Sequence, residues 1–350
     1  MTKITTGDGI NDIAFPLHEM LNLPASTAFQ VETVSSGTAA LTLRVTAVGD
    51  PSRRYFVKTL QAGGGTGSHL RLGLREVQFY ALIETLSPDS YPNIPKCVRH
   101  FICADERNYY LVLEDLSNTY QNHDHVDFSQ LESWKIPLAA LADFHKHFTH
   151  RLTAEHLQAY ADTAEQVEGY IHKLEAAFQQ FKSDHHGLVA KPVLTLMARS
   201  IPYIRAFELE KAARIQTNQL TTILHRDAHV KNFLYPRAPD HPTVIVDWQF
   251  WGLGIGTFDL RHLLGSALTR DLRPRQEKLV RYYYERYRDG LDVDYAWSDC
   301  WLDYRKGIID NLFMPVWQYT GFDWDIGRWG QTLEAAVENY YALGCDQIIL

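Results

Sequence analysis

Apolar and polar residues alternate in several short stretches of the first third of the chain, a period of two that is typical of half-buried strands. The alternating stretches are residues 29–34 and 40–45, and residues 54–60 and 109–113 are further predicted strands. Residues 35–38, Ser-Ser-Gly-Thr, predict a tight turn between the first two strands, and Gly-Asp-Pro at 49–51 predicts another. Residues 75–83 predict a helix. The front of the chain is therefore expected to be rich in β-structure.

Beyond Leu116 the pattern becomes helical. Apolar residues recur at alternating steps of three and four at Leu157, Tyr160, Ala164, Val167, Ile171, Leu174, Phe178 and Phe181. This spacing predicts one long amphipathic helix, which either packs against its own domain or forms a dimerising coiled coil. Residues 259–350 also favour helices. We predict an α+β fold with a β-rich lobe at 1–116 and a helical lobe at 117–350.

Composition narrows the class of protein. The 350 residues are 45% hydrophobic, as expected of a globular protein with a substantial core. A net charge of −8 argues against nucleic acid as a partner, because a polyanion would be repelled. Four cysteines without a C-x-x-C pair suit a reducing compartment. No apolar run approaches the ~18–20 residues of a membrane span. We therefore expect a cytoplasmic protein with no membrane partner.

The chemistry is concentrated in one region. Residues 225–232, His-Arg-Asp-Ala-His-Val-Lys-Asn, have the form His-x-Asp-x4-Asn, and a β-branched stretch at 244–246 ends in Asp247. This places two carboxylates and an amide on neighbouring loops. Kinases need such a set, in which one carboxylate orients or deprotonates a hydroxyl while an Asn and a second Asp hold Mg²⁺ on ATP. The pattern predicts a phosphotransferase.

These motifs and others resemble the aminoglycoside phosphotransferase and choline kinase group of the protein-kinase-like fold, with a likeness to its ecdysteroid-kinase-like (CHK-type) branch. The matching stretches, in the order of the family, are residues 56–58, 75–80, 111–116, 141–145, 225–232, 247–249 and 254–260. Each stretch is weak alone, but their order makes the resemblance specific. It implies a two-lobed protein-kinase-like fold and the cofactors ATP and Mg²⁺.

The resemblance also implies roles for residues of the front lobe. Lys58 would contact the α- and β-phosphates, and Glu76 would hold its ammonium by ion pairing. Backbone N–H groups of the turn at Ser36 and Gly37 would cover the triphosphate, although a plain hairpin turn remains open because the turn has a single glycine. The purine would bond to the Glu114 carbonyl and the Leu116 amide. These main-chain contacts leave ATP and GTP undistinguished.

In the rear lobe Asp227 would be the catalytic base or the group that orients the acceptor hydroxyl. Asn232 and Asp247 would bind Mg²⁺ through oxygen, the ligand atom that this cation prefers. The alternative is a capping Asp and an ordinary loop Asn. We expect His225 to be a packed, hydrogen-bonded support of the loop. His229 supports the loop or contacts substrate.

Arg226 departs from the resemblance, since small-molecule kinases of this group more often have Gly between His and Asp. In protein kinases an Arg at this place grips a phosphorylated activation loop. Here only 12 positions separate Asp247 from Asp259, which leaves no room for a long regulated segment. We expect Arg226 to pair with a local carboxylate. Asp259 is expected to cap a helix and brace the catalytic loop.

The acceptor is expected to be a small molecule with a hydroxyl group, bound beside the C-terminal helices. Aromatic and acidic residues are dense there: Trp297, Asp299, Trp301, Asp303, Tyr304, Asp310, Trp317, Tyr319, Asp323, Trp324 and Asp325. They would suit a cationic or amphipathic alcohol, or a flat apolar hydroxylated ligand. Core packing and ordinary surface placement are the alternative. The acceptor's identity and the oligomeric state stay open.

Three functions compete on this sequence. The leading one is an ATP- and Mg²⁺-dependent kinase that phosphorylates a hydroxyl of a small molecule, such as an amino alcohol, an aminoglycoside, a steroid or another natural product. A catalytically inactive nucleotide-binding scaffold of the same fold is the alternative. The presence of Lys58, Glu76, Asp227, Asn232 and Asp247 together argues against it. A protein kinase is disfavoured by the short interval after Asp247.

Overall fold

The computed structural model describes residues 2–6, 9–13, 15–36, 41–60, 67–88, 92–265, 267–322 and 324–349. The chain folds as two compact units, each made of two segments. The first unit comprises Met1–His125 and Lys231–Trp251, and the second comprises Val126–Val230 and Gly252–Leu350. The catalytic loop predicted at 225–232 is therefore divided between units.

The described residues form twelve strands and eleven α-helices. The strands are β1 (Thr2–Thr6), β2 (Gly9–Ile13), β3 (Phe29–Ser36), β4 (Leu41–Ala47), β5 (Asp50–Thr59), β6 (Cys97–Ile102), β7 (Tyr109–Glu114), β8 (Tyr120–Gln121), β9 (Thr222–Leu224), β10 (Phe233–Pro236), β11 (Val244–Ile245) and β12 (Gly252–Gly254). The helices are α1 (Leu17–Met20), α2 (Gly67–Leu86), α3 (Lys135–Phe148), α4 (Ala154–Tyr160), α5 (Ala164–Asp184), α6 (Lys191–Gln216), α7 (Thr257–Gly265), α8 (Gln276–Arg288), α9 (Trp297–Asp310), α10 (Met314–Phe322) and α11 (Ile326–Ala342).

An antiparallel five-stranded sheet, in the order β3-β4-β5-β7-β6, is the centre of the first unit. Its register pairs Val57 with Val112 and Lys58 with Leu111. Side chains alternate across a strand, so Val57 and Val112 share one face, where they join the core with Leu43. Lys58 projects from the opposite face. The alternation of side chains therefore places the Lys58 ammonium on the face of the sheet opposite this core.

The segment 231–251 completes the first unit. Strand β10 pairs antiparallel with both β8 and β11. After β11 the chain reaches Asp247 and forms a short 3₁₀ helix, Trp248–Phe250. The ring of Trp248 stacks on that of Phe79 of α2 at 4.1 Å between centroids and 5° between planes. This aromatic contact fixes the end of the segment against α2.

The second unit is helical, with one small antiparallel ladder between β9 and β12. Helix α3 packs against α8, α5 against α6, and α7 against α9. The ladder pairs Leu224 with Gly252. This pairing places residues 225–230, which follow β9, beside the start of α7, which follows β12. No helix among the described residues is long and apolar enough to cross a bilayer.

The predicted α+β character is confirmed, with the β-rich region first and the helices after it. The strands predicted near residues 29, 40, 54 and 109 and the helix at 75–83 are all present. Residues 37–40, which include Gly37 of the predicted turn, lie outside the described residues. The division into lobes after Leu116 remains a prediction. Strand β6 and helix α6 were not foreseen.

The prediction of one long helix from Leu157 to Phe181 is wrong. Helix α4 ends at Tyr160 and α5 begins at Ala164. At the break the Thr163 hydroxyl accepts a hydrogen bond from the Gln166 amide, and Gln166 Oε1 accepts one from the Thr163 amide at 2.7 Å. This reciprocal capping box starts a new helix. The apolar period continued across the break and concealed it.

Candidate active site

Lys58 is the centre of a charged cluster in the first unit. Its Nζ donates to Glu76 Oε1 at 2.8 Å and to Glu76 Oε2 at 2.9 Å. The same Nζ donates to Asp247 Oδ1 at 3.0 Å. The predicted ion pair between Lys58 and Glu76 is therefore present. The structure adds a contact that the sequence did not predict, between the Asp247 carboxylate and the same ammonium.

Burial and charge oppose each other in this cluster. Burial alone would lower the pKa of Lys58, but the carboxylates of Glu76 and Asp247 outweigh it and hold that pKa above its usual value. Burial raises the pKa of the Glu76 carboxyl, and Lys58 only partly offsets this. The lysine therefore stays charged while its two anionic partners repel each other.

Helix α2 is held to the 3₁₀ segment by contacts at both ends of Trp248–Phe250. Trp248 stacks on Phe79, and its backbone amide donates to Glu76 Oε1 at 3.3 Å. Arg75 Nε donates to the Trp251 carbonyl at 2.9 Å, and Trp251 Nε1 donates back to the Arg75 carbonyl at 2.7 Å. Glu76 lies between these two clamps. Its position beside Lys58 is therefore set by packing as well as by charge.

Asp247 and Asn232 lie at the two ends of segment 231–251 in the first unit. Asp247 has φ 69° and ψ 60°, the left-handed region that non-glycine residues rarely adopt. Its Oδ2 accepts a hydrogen bond from Gln249 Nε2 at 3.1 Å. The Val246 amide donates to the Asn232 carbonyl at 2.9 Å. A strained backbone held by its surroundings is frequent at functional sites.

The cluster opens into a cleft of about 820 Å³ that lies wholly within the first unit. Residues of the sheet, of α2, of the segment after β7 and of segment 231–251 line it. Seven of the lining residues belong to the predicted site or directly accompany it: Lys58, Glu76, Glu114, Leu116, Asn232, Asp247 and Gln249. The volume is in the usual range of ligand and cofactor sites. Gln249 was not singled out from the sequence.

Glu114, Asp115 and Leu116 of the predicted hinge line this cleft. The Asp115 carboxylate accepts from the Ser117 amide at 3.0 Å and lies 2.8 Å from Arg54 Nη2. Burial would raise the pKa of Asp115, but these contacts outweigh it and the pKa is lowered. Among the residues that the structure describes, none accepts a hydrogen bond from the Leu116 amide. That N–H is thus available to a ligand.

In the second unit a buried carboxylate braces the loop that carries Asp227. Asp259 Oδ2 accepts from the His225 amide at 2.7 Å and Oδ1 accepts from the Arg226 amide at 2.8 Å. His145 Nε2 lies 3.1 Å from the same Oδ2. Burial would raise the pKa of Asp259, but these contacts lower it. The predicted brace is present, inside the first turn of α7 rather than at its cap.

His225 is the packed support that the sequence predicted. Its side chain is buried, and its Nδ1 accepts a hydrogen bond from the Asp227 amide at 3.2 Å. The Asp227 carboxylate lies between two other histidines, with His262 Nε2 at 3.1 Å from Oδ1 and His229 Nε2 at 3.6 Å from Oδ2. His262 was missed, because nothing in the sequence marks a residue of α7 as a neighbour of Asp227.

Arg226 pairs with a local carboxylate, as expected. Its Nη2 lies 3.4 Å from Asp162 Oδ2 and donates to the Leu253 carbonyl at 3.0 Å. Its backbone is left-handed, with φ 64°, a conformation that glycine adopts more readily than other residues. A Cβ placed on Gly252 would lie 2.3 Å from the guanidinium carbon. The arginine side chain is therefore accommodated by a glycine on the paired strand.

The aromatic and acidic residues at 297–325 are mostly engaged within the second unit. Arg214 Nη1 donates to Asp303 at 2.9 Å, and the Tyr319 hydroxyl donates to Asp184 at 2.8 Å. Asp323 lies outside the described residues. These contacts are those of the packing alternative. Acceptor binding beside these helices remains a prediction.

Comparison with known proteins identifies the family. The sequence pattern of the ecdysteroid kinase-like family matches residues 41–293, more than half of the chain. The chain belongs to the ecdysteroid kinase-like family. The likeness to that branch, inferred from the ordered motifs, is thereby confirmed. The match includes every candidate site residue except Ser36 and Gly37. None of the curated proteins is significantly similar in sequence.

Solved structures show that this member of the family has the protein-kinase-like fold. A Ralstonia eutropha JMP134 protein described as a candidate aminoglycoside phosphotransferase has a TM-score of 0.57 at 13% identity, with 95% of each chain covered. Ethanolamine kinase of Plasmodium vivax has a TM-score of 0.56 at 14% identity, covering 91% of this chain and 82% of its own. The streptomycin–ATP complex of APH(2'')-IIa has a TM-score of 0.53 at 13% identity, covering 92% and 93%.

Proposed function

We propose that this protein is a kinase that transfers the γ-phosphate of ATP, in the presence of Mg²⁺, to a hydroxyl group of a small molecule. The observation that carries the proposal is the Lys58 ammonium between Glu76 and Asp247 at the floor of an 820 Å³ cleft. Membership of a kinase-like family agrees with it. Of the structural relatives, one is an ethanolamine kinase and one was solved with ATP and streptomycin.

In this proposal Lys58 binds the α- and β-phosphates. Glu76 keeps the ammonium in place, because α2 is clamped to the Trp248–Phe250 segment and cannot withdraw without breaking those contacts. The nucleotide replaces Asp247 as the second anionic partner of Lys58, and the Asp247 carboxylate would then be able to bind Mg²⁺. The Glu114 carbonyl and the Leu116 amide take the purine edge. Ser36 and Gly37 remain candidates for the phosphate-covering turn.

The residues present fit a magnesium site. Asp247 offers a carboxylate and Asn232 an amide oxygen, hard ligands of the kind that Mg²⁺ takes together with phosphates and water. Among the described residues there is no cluster of three or more His, Cys, Asp or Glu side chains of metal-binding form, and a cation bound chiefly through a nucleotide needs none. Mg²⁺ bound there would neutralise charge that develops on the phosphates. Gln249 would hold the Asp247 carboxylate in orientation.

Asp227 orients the acceptor hydroxyl and receives its proton. The O–H bond breaks as the new O–P bond forms, ADP leaves, and the proton passes through Asp227 to solvent. Burial would raise the pKa of Asp227, but a hydrogen bond from His262 and the neighbouring histidines hold it below its usual value. A carboxylate of low basicity is better suited to orientation than to early deprotonation, so positioning is its larger contribution.

Nucleotide binding is the first test. With Mg²⁺-ATP at about 100 times its Kd, the native state should gain roughly 2.7 kcal/mol, a clear rise in melting temperature. Asp247→Ala should abolish the rise, while Asp240→Ala, at an exposed position of the same segment, should keep it. A wild-type rise in Asp247→Ala would contradict the metal assignment. If the melting temperature of the wild type does not rise at millimolar Mg²⁺-ATP, an inactive scaffold protein that does not bind the nucleotide would be favoured.

Transfer is the second test. ADP release should be followed with ethanolamine, streptomycin and an ecdysteroid as acceptors, and the phosphorylated product identified by mass. A product formed by the wild type and not by Asp227→Asn supports the kinase. Binding of Mg²⁺-ATP without a product from any acceptor, and without ATP hydrolysis, would support the catalytically inactive nucleotide-binding alternative.

A further inference from the structure

The carboxylate of Asp227 is bracketed by two imidazoles within the second unit. His262 Nε2 lies 3.1 Å from Oδ1, and His229 Nε2 lies 3.6 Å from Oδ2. The two rings are 6.2 Å apart, one on α7 and the other on the loop of Asp227 itself. All three side chains are partly exposed, between 23% and 33%. The group is therefore held by protein contacts and remains open to protons from solvent.

The two histidines are held differently. His229 is on the same loop as Asp227, only two residues away, and its distance of 3.6 Å is beyond a good hydrogen bond. His262 is on a helix whose first turn is fixed by Asp259, the residue that accepts the His225 and Arg226 amides. The ring of His262 and the backbone of the loop are thus positioned by one rigid element. His262 is the better candidate for fixing the carboxylate.

Other charged groups around α7 have partners of their own. On α7, Asp259 is held by His145 of α3, and Arg261 pairs with Asp310 of α9. The elements that pack on α7 bring further charges: Glu208 and Lys211 of α6, which pair with each other, Glu338 of α11, which pairs with Arg270 and Arg273, and buried His225 of the loop. Beside His262 itself lie the Asp227 carboxylate and, at 6.2 Å between ring centroids, the ring of His229.

We propose that His262 is a positioning residue that fixes the Asp227 carboxylate toward the acceptor and makes phosphoryl transfer depend on the charge of its imidazole. The inference rests on the proposed kinase function. The neutral ring donates Nε2–H to Oδ1 and holds one orientation of the carboxylate. The protonated ring forms an ion pair with Asp227 and makes the carboxylate a weaker proton acceptor. Transfer is therefore favoured while His262 is neutral.

The direction of the pH dependence follows. As the pH falls, an imidazole gains a proton and a positive charge, whereas a carboxylate loses its negative charge. Because the pKa of Asp227 is already lowered, Asp227 itself cannot cause a loss of activity near neutrality. An acid limb of the rate profile in the histidine range therefore reports an imidazole, and one in the carboxyl range reports Asp227.

The experiment measures kcat/KM against pH from 4 to 9, by ADP release from Mg²⁺-ATP with the acceptor found above, or with water as acceptor. The wild type should lose activity as pH falls through the histidine range. His262→Gln, whose amide can still donate to Oδ1, should retain most of the rate at high pH and move the acid limb toward the carboxyl range. His262→Leu should lose up to about 100-fold at every pH, as misplacement of a reacting group can.

Two matched variants separate His262 from other histidines. His172→Gln, at an exposed position of α5, should keep the wild-type profile. His229→Gln should keep the limb too, because the inference assigns it to His262. A wild-type acid limb retained in His262→Gln, or its loss in His229→Gln alone, would overturn the proposal. So would a wild-type profile that is flat between pH 5 and 8.

A second readout needs no activity. In protein labelled with ¹⁵N-histidine, the ring N–H of His262, assigned through His262→Gln, should give a downfield proton resonance protected from exchange. Asp227→Asn should abolish it, while Asp162→Asn, which removes the carboxylate beside Arg226, should not. The same resonance in wild type and Asp227→Asn would overturn the positioning. If no acceptor is phosphorylated while this resonance behaves as expected, the kinase function has failed and the contact between His262 and Asp227 stands.

Discussion

The two candidate regions hold their central charges in opposite ways. In the first unit, Lys58 is satisfied by the side chains of Glu76 and Asp247, and in the proposed function a ligand replaces Asp247 while Glu76 stays in place. In the second unit, Asp259 is satisfied by two backbone amides and by buried His145. Backbone amides cannot move without changing the loop. The first arrangement therefore suits ligand exchange, and the second suits permanent support.

Both regions contain one strained residue, which extends the comparison. Asp247 has φ 69° and Arg226 has φ 64°, although neither is a glycine. Asp247 is itself a proposed Mg²⁺ ligand, and Arg226 directly precedes Asp227. Both residues are held by contacts with their neighbours. Substitutions in the cluster of Lys58 should therefore change ligand binding first, whereas substitutions in the brace of Asp259 should change stability first.

Asp227→Asn should produce the largest effect. The amide keeps the size of the side chain but cannot accept the hydroxyl proton, so transfer should fall by about 10³-fold or more. Nucleotide affinity should remain near that of the wild type, because Asp227 is not among the residues that line the nucleotide cleft. Single-turnover rates and Mg²⁺-ATP titration measure the two quantities. Unchanged turnover would remove Asp227 from its role.

Asp259→Ala should reduce the free energy of unfolding by about 3–5 kcal/mol, because it leaves buried partners of a charged network unsatisfied. Denaturant titration measures the loss, and Asp292→Ala at an exposed position serves as the control. A loss below about 1 kcal/mol would contradict the role of Asp259 as a brace.

The same carboxylate predicts a pH dependence. The pKa of Asp259 is lower in the folded protein than its ordinary value of 3.8. Its contribution to stability is therefore complete above the unfolded pKa and is lost as the pH falls through the folded one. Wild-type stability should decline below pH about 4, and Asp259→Asn should show a shallower decline. Parallel curves for the two proteins would contradict this sign.

Lys58→Met should weaken Mg²⁺-ATP binding and turnover together, by roughly 10- to 100-fold. Without the ammonium, the Glu76 carboxyl loses the contact that offsets its burial, so Glu76 should take up a proton at higher pH than in the wild type. Lys96→Met, on the exposed residue before β6, is the control. Isothermal titration at two pH values would show the effect. Unchanged affinity in Lys58→Met would remove Lys58 from the nucleotide site.

Arg226→Gly should have the smallest effect. Glycine relieves the left-handed backbone, while the variant loses the contacts to Asp162 and to the Leu253 carbonyl. The relief of backbone strain and the loss of these contacts each change the free energy of unfolding by about 0.5–1 kcal/mol, in opposite directions. The net change should therefore be less than about 1 kcal/mol. Thermal unfolding measures the change. A collapse of stability or activity would show that Arg226 supports the site in a way that its visible contacts do not.

Local patterns were sufficient for much of the fold. The period of two found β3 and β4, further apolar stretches found β5 and β7, and the ordered motifs found the kinase-like family. The failures came from signals that are non-local or that compete. The apolar period continues from α4 into α5 across the break between the two helices, which only the Thr163–Gln166 capping box reveals. Short ladders such as β9 with β12 have two to three residues, too few to give a period.

The sequence by itself determined the chemical types at the site. The order Lys58, Glu76, Asp227, Asn232 and Asp247 along the chain specifies a cation and hard oxygen ligands, because motifs are local in sequence. Tertiary structure decided which of these groups share a partner. It brought Asp247 to the ammonium of Lys58 across 189 positions. Contacts of that length depend on packing, which no spacing within a motif encodes.

The neighbours of Asp227 teach the same lesson. His262 lies 35 positions after it on α7, and it reaches Oδ1 only because β9 pairs with β12 and Asp259 binds the loop amides. The sequence identified the carboxylate from its motif. The fold supplied the imidazole beside it, since the direction of a helical side chain is set by how the helix packs and not by its own sequence.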